Sequence, residues 1–222
     1  MKVILFNGDS LGMPREGVPF DQTYYYLLSK VYSGKAHLVS NFRRAATTTL
    51  LHSKDSLEIY QPNIVVLHLG IVDCAPRYYK SSSNFIKIIN RLPGRAKSLF
   101  WAITKKIKKR TGENADVSLS KFEFNLMSYL IRCEQEKVER CIVILIQKPG
   151  TSMLRKNPNL LHSIGQYNEL IVKCAQGFTF VKCINPLGES TNDDYIADGY
   201  HLKHSGFLKV FDSLKNELDD LI

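Results

Sequence analysis

The sequence has no long hydrophobic run and no paired-cysteine motif, and both absences narrow the class of protein. Its apolar stretches all fall short of the roughly 18 residues that a membrane-spanning helix requires. Its five cysteines are odd in number and form no Cys-x-x-Cys pair, so we expect reduced core thiols rather than a disulfide framework or a zinc site. A Walker loop, a dinucleotide-binding glycine motif and metal-ligand spacings are also missing, and we therefore expect neither a cofactor nor a metal.

What the sequence does contain is typical of one globular domain. Its 222 residues are 44% hydrophobic and 23% charged, which fits a single domain over residues 1–222. Near the N-terminus, only Val3 to Phe6 form an apolar stretch before Asn7 and Gly8, and this is too short for the core of a secretory signal. We therefore expect a cytoplasmic protein.

The positive charge of the chain is concentrated in one segment, residues 91–110. The chain carries 30 Lys plus Arg against 21 Asp plus Glu, a formal net charge of +9. The segment contains no acidic residue and eight basic ones, which are Arg91, Arg95, Lys97, Lys105, Lys106, Lys108, Lys109 and Arg110. Because the remainder of the chain is close to neutral, we expect one surface, rather than the whole protein, to attract anions.

The same segment has the spacing of an amphipathic helix. Its large apolar residues recur every three or four positions between two helix-breaking dipeptides, as Leu99, Phe100, Ile103 and Ile107. Three interpretations stay open: a solvated helix whose apolar stripe packs on the core, peripheral contact of residues 95–110 with an anionic membrane, and a patch for a polyanion such as an acidic glycan. Nucleic acid is the less expected polyanion.

Short apolar runs alternate with helical patterns along the chain. The strand-like runs lie at 2–7, 36–40, 63–69, 141–147 and 178–184. The helical patterns lie at about 20–34, 47–60, 121–139, 160–176 and 205–221. Because several runs are continuously apolar, they are typical of strands buried on both faces of a parallel sheet. The alternation predicts a three-layer α/β domain with a five-stranded parallel sheet, in which 75–120 is an insertion that carries the basic helix.

In such a sheet, ligands bind beyond the carboxyl ends of the strands, and three reactive residue types occur near those ends. Ser10 follows the first strand in a Gly-Asp-Ser turn. Asp198 and His201 precede the last helix, and their spacing of three predicts that both side chains lie on one side of a helical or 3₁₀ turn. A hydroxyl, an imidazole and a carboxylate are the groups that nucleophilic acyl transfer uses, so we expect the three to meet in one cleft.

These residues, with two further blocks, resemble the SGNH or GDSL hydrolase family. The blocks that carry the resemblance are residues 6–11, 65–73, 166–170 and 198–202. The resemblance covers nearly the whole chain and implies a flavodoxin-like three-layer fold with a serine esterase, lipase or carbohydrate acyl-ester hydrolase activity. It also implies that Ser10 is the nucleophile, His201 the base and Asp198 the acid that orients the base.

Two blocks depart from the family pattern at positions expected to bind the oxyanion or the substrate. The family's second block corresponds to residues 41–46 and its third block to residues 65–73. The second block here has no glycine to supply a backbone N–H, so its candidates are Asn41, Arg44 and Ala46. In the third block Gly70 is present, but the position where the family has an oxyanion-binding asparagine looks to be Asp73. An ionised carboxylate cannot donate a hydrogen bond, and it repels developing negative charge.

We expect Asp73 to turn away from the oxyanion and to pair with Arg44 or Arg77. Arg44 lies in the second block and Arg77 follows the third, and a guanidinium would neutralise a buried carboxylate. Two other outcomes stay open, which are a protonated Asp73 in an apolar site and an activity that is weak, altered or lost. Arg77 is therefore also a candidate, and the full set of candidate oxyanion-binding or substrate-binding residues is Asn41, Arg44, Ala46, Gly70, Asp73 and Arg77.

The polar and basic residues around the predicted site favour a short acyl group on a polar carrier. We therefore predict a serine esterase that acts on a short-chain O-acyl ester, O-acetyl above all, of a carbohydrate or other small molecule. Two alternatives are an O-acyltransferase that uses the same three residues and a non-catalytic module of the same fold that binds an anionic glycan or a membrane. Contact of the basic segment with the inner membrane surface would suit a lipid-linked substrate.

Overall fold

The computed structural model describes residues 1–15, 17–53, 56–80, 83–107 and 114–222. The last three basic residues of the 91–110 segment lie outside the described residues. Within the described ranges, no helix has both the length and the apolar character that crossing a membrane requires.

A five-stranded parallel sheet forms the centre of the fold, as the sequence predicts. The strands are β1 (Lys2–Gly8), β2 (Ala36–Phe42), β3 (Ile64–His68), β4 (Arg140–Ile144) and β5 (Val181–Ile184). Their order across the sheet is β2-β1-β3-β4-β5, and every neighbouring pair is parallel. The last two strands are shorter than predicted, because the fourth apolar run leaves the sheet after residue 144 and the fifth joins it only at residue 181.

Helices connect the strands and cover both faces of the sheet. In the described part of the chain they are α1 (Tyr24–Val31), α2 (Thr47–Leu50), α3 (Leu57–Tyr60), α4 (Ile71–Cys74), α5 (Asn84–Arg91), α6 (Gly94–Ile107), α7 (Leu119–Gln135), α8 (Thr151–Lys156), α9 (Leu160–Ala175) and α10 (His204–Asp219). The pattern at 47–60 predicts one helix, but two short helices form there. Its first turn contains three consecutive threonines, whose β-branched side chains have low helix propensity.

Side chains alternate between the two faces of the sheet, and each face has its own apolar core. On one face, Leu5 and Val65 pack in a cluster that includes residues of α7 and α9. On the other face, Phe6 and Val66 pack in a cluster that includes residues of α1 and α10. Burial of each such side chain contributes about 1.5–3 kcal/mol. The result is the predicted three-layer arrangement of helices, sheet and helices.

The order of the strands places a crevice at the end of β1. The chain leaves β1 to form β2 on one side of it and returns to form β3 on the other side. This reversal opens a crevice beyond the carboxyl ends of β1 and β3, which is where ligands bind in open parallel sheets. Ser10 follows β1 and Gly70 follows β3, so both lie at this crevice.

Helices α5 and α6 lie within the 75–120 region. Phe100 of α6 is half-buried, and its ring centroid lies 5.7 Å from that of Phe85. Leu99, Ile103 and Ile107 are instead 62%, 49% and 80% exposed. The interpretation in which the whole apolar stripe of this helix packs on the core is therefore wrong. Phe100 is held by ring contacts with Tyr79, Phe85 and Trp101 rather than by either core of the sheet.

Candidate active site

The first strand ends in a turn that presents the Ser10 hydroxyl. Asp9 caps this turn, since its Oδ1 accepts a hydrogen bond from the Leu11 N–H at 2.9 Å. The Asp9 N–H donates to the His68 carbonyl at 2.9 Å and ties the turn to the end of β3. Ser10 begins the 3₁₀ turn Ser10–Gly12 and is 8% exposed. Its hydroxyl is therefore held at the edge of the sheet, beside the crevice.

The loop before α10 brings His201 to the same edge. The Ile196 N–H donates to the His201 carbonyl at 2.9 Å and closes this loop. Gly199 has a φ of 84°, a conformation that favours glycine, and a Cβ at this position would collide with the Ser152 hydroxyl. Asp198 and His201 are therefore brought together by a tight non-helical turn, rather than by the helical or 3₁₀ turn that their spacing predicts.

Ser10, His201 and Asp198 meet at this edge. The Ser10 Oγ lies 3.1 Å from His201 Nε2, although the two residues are 191 positions apart in the chain. His201 Nδ1 lies 2.6 Å from Asp198 Oδ2. Both distances are within hydrogen-bond reach, in the hydroxyl–imidazole–carboxylate order that nucleophilic acyl transfer uses.

Asp198 decides which nitrogen of His201 carries a proton. Its Oδ1 accepts hydrogen bonds from the backbone N–H groups of Tyr200 and His201, each at 3.0 Å. These two donors orient the carboxylate, so that Oδ2 faces Nδ1 and accepts its proton. Nε2 is therefore left with the lone pair that can accept the Ser10 proton.

The surroundings keep His201 neutral and Asp198 ionised. Burial is the largest effect on His201 and lowers its pKa; Asp198 opposes this, and the positive charges of Arg15 and Arg44 add to the lowering. Burial acts to raise the pKa of Asp198, but hydrogen bonds from His201 and from the two backbone N–H groups outweigh it and hold the pKa below its usual value. At neutral pH this is the resting state that a general base needs.

Arg15 contacts the reactive nitrogen of His201, and no motif in the sequence singles it out. Its Nη2 lies 2.8 Å from His201 Nε2 and donates to the Ser10 carbonyl at 2.9 Å. Because Nε2 has a single lone pair, Arg15 and the Ser10 hydroxyl compete for it. Arg15 Nε is also buried and finds no acceptor among the described residues. The one sequence signal for Arg15 is its place in the loop that follows Ser10.

Asp73 is fully buried, and its partner is Thr47 rather than an arginine. Its Oδ1 accepts from the Thr47 N–H at 3.0 Å and from the Thr47 hydroxyl at 2.5 Å. Asn125 Nδ2 donates to the same hydroxyl oxygen at 2.9 Å. Burial raises the pKa of Asp73 to about 6, against the lowering effect of the Thr47 hydrogen bonds. The predicted pairing of Asp73 with Arg44 or Arg77 is therefore wrong, because local donors on α2 already occupy this carboxylate.

The third block presents Val72, rather than Asp73, to the space beside Ser10. Val72 lines the cavity that contains Ser10, whereas Asp73 does not. One residue step on α4 rotates a side chain by about 100°, which exchanges the cavity-facing and core-facing positions. The Val72 side chain has no hydrogen-bond donor, so this block supplies no side-chain amide to an oxyanion. Arg77 does line the cavity, but its guanidinium pairs with Asp116 at 2.7 Å.

Three other predicted binding residues, Asn41, Ala46 and Gly70, make contacts within the protein rather than with the cavity. Asn41 Nδ2 donates to Asn7 Oδ1 at 3.1 Å and links the ends of β2 and β1. Ala46 precedes α2 and packs against the core. Gly70 starts α4 with a φ of 117°, and a Cβ there would lie 2.6 Å from the Ile146 side chain. Within the described chain, none of the three predicted residues lines the cavity that contains Ser10.

Buried titratable groups support the turn and the loop of the site. Burial raises the pKa of Asp9, the cap of the Ser10 turn, to about 7. Burial lowers the pKa of His68 to about 4, so its ring is neutral at pH 7, and its Nε2 lies 3.4 Å from Gln147 Oε1. Gln147 Nε2 in turn donates to the Tyr200 carbonyl at 3.1 Å. This chain of contacts connects β3 to the loop that carries His201.

A cavity of about 820 Å³ extends from Ser10 to helix α6. Its polar and aromatic wall includes Tyr78, Asn90, Trp101, Asn157 and Tyr200. Small-molecule sites usually measure about 300–1,000 Å³, so this space is large enough for much more than an acetyl group. In the described ranges, no three His, Cys, Asp or Glu side chains are grouped as metal ligands.

Comparison with known proteins finds likeness in structure but not in sequence. No family model matches the chain, and no curated protein matches it. Among solved structures, a lipase/acylhydrolase from Enterococcus faecalis has a TM-score of 0.68 and 14% identity, over 98% of this chain and 95% of that one. A catalytic mutant of an acetylxylan esterase from Geobacillus stearothermophilus has a TM-score of 0.65 and 13% identity, over 98% and 94% of the two chains.

A GDSL-like lipase from Bacteroides thetaiotaomicron is similar as well. Its TM-score is 0.60 at 12% identity, over 100% of this chain and 89% of that one. At these identities, the likeness shows a shared fold over nearly the full length of each chain. The expected SGNH-type α/β fold is therefore confirmed.

Proposed function

We propose that this protein is a serine esterase that removes a short acyl group, O-acetyl above all, from a carbohydrate or another polar carrier. The observation that carries the proposal is the meeting of three side chains, with 3.1 Å between Ser10 and His201 and 2.6 Å between His201 and Asp198. A fold shared with lipase/acylhydrolases and acetylxylan esterases supports the same reaction class.

The proposed reaction proceeds in two acyl-transfer steps. In the first, Ser10 Oγ attacks the ester carbonyl while His201 Nε2 takes the hydroxyl proton, and that proton is then given to the departing alcohol. In the second, His201 takes a proton from water, the resulting hydroxide attacks the acyl-serine, and Ser10 recovers its proton as the acid leaves. Asp198 stays ionised and stabilises the imidazolium that forms in each step.

Arg15 is the donor that we assign to the developing oxyanion. In the resting site it points at His201 Nε2, from 2.8 Å away. Once Nε2 is protonated it can no longer accept a hydrogen bond, so the Arg15 N–H loses this partner. The negative oxygen formed beside Ser10 is then the natural acceptor, and Arg44 adds a second positive charge nearby. These charges take the place of the side-chain amide that Val72 cannot supply.

A polar carrier fits the cavity better than a long hydrocarbon chain. The cavity wall combines Tyr78, Asn90, Asn157 and Tyr200 with cationic side chains. Burial of a hydrocarbon chain against these amide, phenol and charged groups costs free energy, whereas sugar hydroxyls can hydrogen-bond to them. The acyl group itself lies beside Ser10, where Ile71 and Val72 make the wall apolar.

The test is hydrolysis of p-nitrophenyl acetate by the wild type, by Ser10→Ala and by Ser205→Ala, a matched change at an exposed serine on α10. We expect Ser10→Ala to lose at least about 10³-fold in kcat, since only binding and electrostatic effects remain without the nucleophile. Ser205→Ala should keep wild-type activity. A fluorophosphonate probe should label the wild type at Ser10, as located by mass spectrometry.

Equal rates for the wild type and Ser10→Ala would defeat the esterase proposal and favour a non-catalytic binding module. Products separate hydrolysis from acyl transfer. Free acetate should form at the rate of ester loss, with or without a glycan acceptor. Ester loss that depends on the acceptor and releases no acid would instead identify an O-acyltransferase.

A further inference from the structure

We infer that the cavity takes an anionic carrier and that one face of α6 recognises it. This inference rests on the proposed esterase function, because it names the class of carrier on which the ester is borne. The groups that carry it are Lys97, Trp101 and Lys105, all of which line the cavity that begins at Ser10.

These three residues form a row along the helix. They are spaced four apart, so they lie one above another on successive turns. The rise of 1.5 Å per residue puts the ends of the row about 12 Å apart along the helix axis. The row therefore offers two ammonium groups with a flat indole between them, which is longer than a single acyl group could use.

The charge of the cavity wall has one sign. Within the described chain, the wall contains no Asp or Glu, and it contains Arg77, Lys97 and Lys105. Arg77 is neutralised by Asp116 at 2.7 Å. Neither lysine takes part in a salt bridge among the described residues. The two ammonium groups are thus left for a ligand, and carboxylate, phosphate or sulfate groups are their ordinary partners.

The groups between the two lysines suit a saccharide. The Trp101 ring is half-buried and is held by Phe100, with centroids 5.2 Å apart at 73°. Rigid aromatic rings with a polar edge bind amphipathic groups at a low entropic cost. Asn90 and Tyr78 supply amide and phenol groups to the same cavity. The wall therefore matches an acylated oligosaccharide that carries at least two negative groups.

The test compares esters that differ in charge. The substrates are O-acetylated oligogalacturonate, which is carboxylated, O-acetylated xylo-oligosaccharide, which is neutral, O-acetylated glucose 6-phosphate, and p-nitrophenyl acetate. The variant is Lys97→Gln/Lys105→Gln. Its control is Arg95→Gln/Lys106→Gln, which removes the same charge from the same helix at residues that do not line the cavity.

For Lys97→Gln/Lys105→Gln, we expect KM for the anionic oligosaccharide to rise about tenfold or more, because the variant loses two charge-assisted contacts to the carrier. The kcat for every substrate should not change, nor should the KM for the neutral oligosaccharide and for p-nitrophenyl acetate. The control variant should match the wild type on all substrates. A lysine-dependent preference for the phosphate ester would identify the anion as phosphate. Equal effects on neutral and anionic esters, or none, would overturn the inference.

A binding measurement keeps this test separate from the esterase proposal. Calorimetry with Ser10→Ala and oligogalacturonate without acetyl groups needs no catalysis. We expect salt-sensitive binding that Lys97→Gln/Lys105→Gln weakens and the control does not. Loss of hydrolysis with this binding intact would count against the esterase alone. Binding that does not depend on the two lysines would count against the anionic carrier, as would no binding to oligogalacturonate or to glucose 6-phosphate.

A different observation, the exposed side of α6, supports a second inference. We propose that the outer stripe of this helix, formed by Leu99, Ile103 and Ile107, docks on an anionic lipid surface. These side chains are 62%, 49% and 80% exposed, although burial is the usual state for large apolar residues. They lie on the side of the helix away from the row of Lys97, Trp101 and Lys105, as the 100° rotation per residue requires.

The positive charge beside the outer stripe favours an anionic lipid surface over a second copy of the chain as the occupant. Arg95 and Lys106 lie along one edge of the outer stripe, and basic side chains near an anionic membrane strengthen binding to it. A second copy of the chain would bring the same positive charges together, which disfavours self-association through this face. Apolar side chains set in basic surroundings are typical of helices that lie in the interface of a membrane.

The test is co-sedimentation of the full chain with phosphatidylserine-containing vesicles and with phosphatidylcholine vesicles. We expect binding only to the anionic vesicles, a loss of at least about tenfold in Leu99→Gln/Ile103→Gln, and weakening by salt. Hydrolysis of p-nitrophenyl acetate should not change, which shows that the variant is folded. Absence of binding at low salt would overturn the proposal, as would a wild-type dimer that this variant dissociates.

Discussion

The replacement Asp198→Asn tests the proposed chemistry most sharply, because it changes one atom and reverses the hydrogen bonding of His201. The carboxylate Oδ1 accepts from two backbone N–H groups, each at 3.0 Å. An asparagine keeps both hydrogen bonds only if its carbonyl oxygen takes that place. Its amide NH₂ must then face His201 Nδ1, where the carboxylate accepts a proton at 2.6 Å in the wild type.

This orientation forces the wrong tautomer on His201. Nδ1 becomes the acceptor and Nε2 carries the proton, so Nε2 can no longer take the proton of Ser10. The alternative amide orientation would set two backbone donors against an NH₂ group, and each unpaired buried donor costs about 1–3 kcal/mol. In a serine protease, the same type of change lowers kcat about 10⁴-fold, which corresponds to about 5.4 kcal/mol of transition-state stabilisation.

We therefore expect Asp198→Asn to lose about 10³–10⁴-fold in kcat for p-nitrophenyl acetate, with KM little changed. The matched control is Asp212→Asn, an exposed carboxylate on α10, which should have wild-type kinetics. Thermal unfolding of both variants checks that the loss is not a loss of fold. Activity of Asp198→Asn within about tenfold of the wild type would refute the role of Asp198 in setting the tautomer.

Three further predictions follow from the same contacts. Arg15→Met should raise the pKa of His201, because it removes one of the positive charges that lower this pKa. The acid limb of the kcat/KM–pH profile should then move to higher pH, and the plateau should fall about 10²-fold. An unchanged profile would remove Arg15 from the mechanism. Asp73→Asn should leave kcat unchanged. Its free energy of unfolding in urea, relative to that of the wild type, should rise by up to about 3 kcal/mol from about pH 4 to pH 6. The reason is that the wild-type carboxyl ionises near pH 4 in the unfolded chain but has a pKa of about 6 in the folded protein, so the wild type loses stability over this range. A tenfold gain in rate would instead place Asp73 at the oxyanion. Gly199→Ala should destabilise the fold by about 1–3 kcal/mol in urea titrations, since it strains a positive φ and collides with Ser152, and no loss would show that the loop can rearrange freely.

The architecture was predictable because strands that are buried on both faces of a sheet have continuous apolar runs in the sequence. A strand such as β3 has apolar residues at nearly every position, since both of its faces are covered. The order of strands and helices then leaves few topologies for a parallel sheet. Strand ends were less predictable, because an apolar residue of the fourth run, Ile146, packs in the core after β4 has ended.

The contacts of individual polar side chains were less predictable than their positions. The block from Gly70 to Asp73 indicates that this segment lies at the crevice, but one step of helix rotation decides that Val72 lines the cavity. Asp73 pairs with Thr47, which is 26 positions away in the sequence, and no local pattern encodes that contact. The position of Arg15 against His201, across 186 residues, is of the same kind.

The sequence by itself determined the layered parallel fold, the strand end that bears Ser10, and the spacing of Asp198 and His201. These follow from residue periodicity and short-range spacing, which act over a few bonds. Only the tertiary structure decided which donors surround His201, which side of α6 lines a cavity and which side is left in solvent. Those outcomes depend on the rotation of each helix and on partners that come from distant parts of the chain.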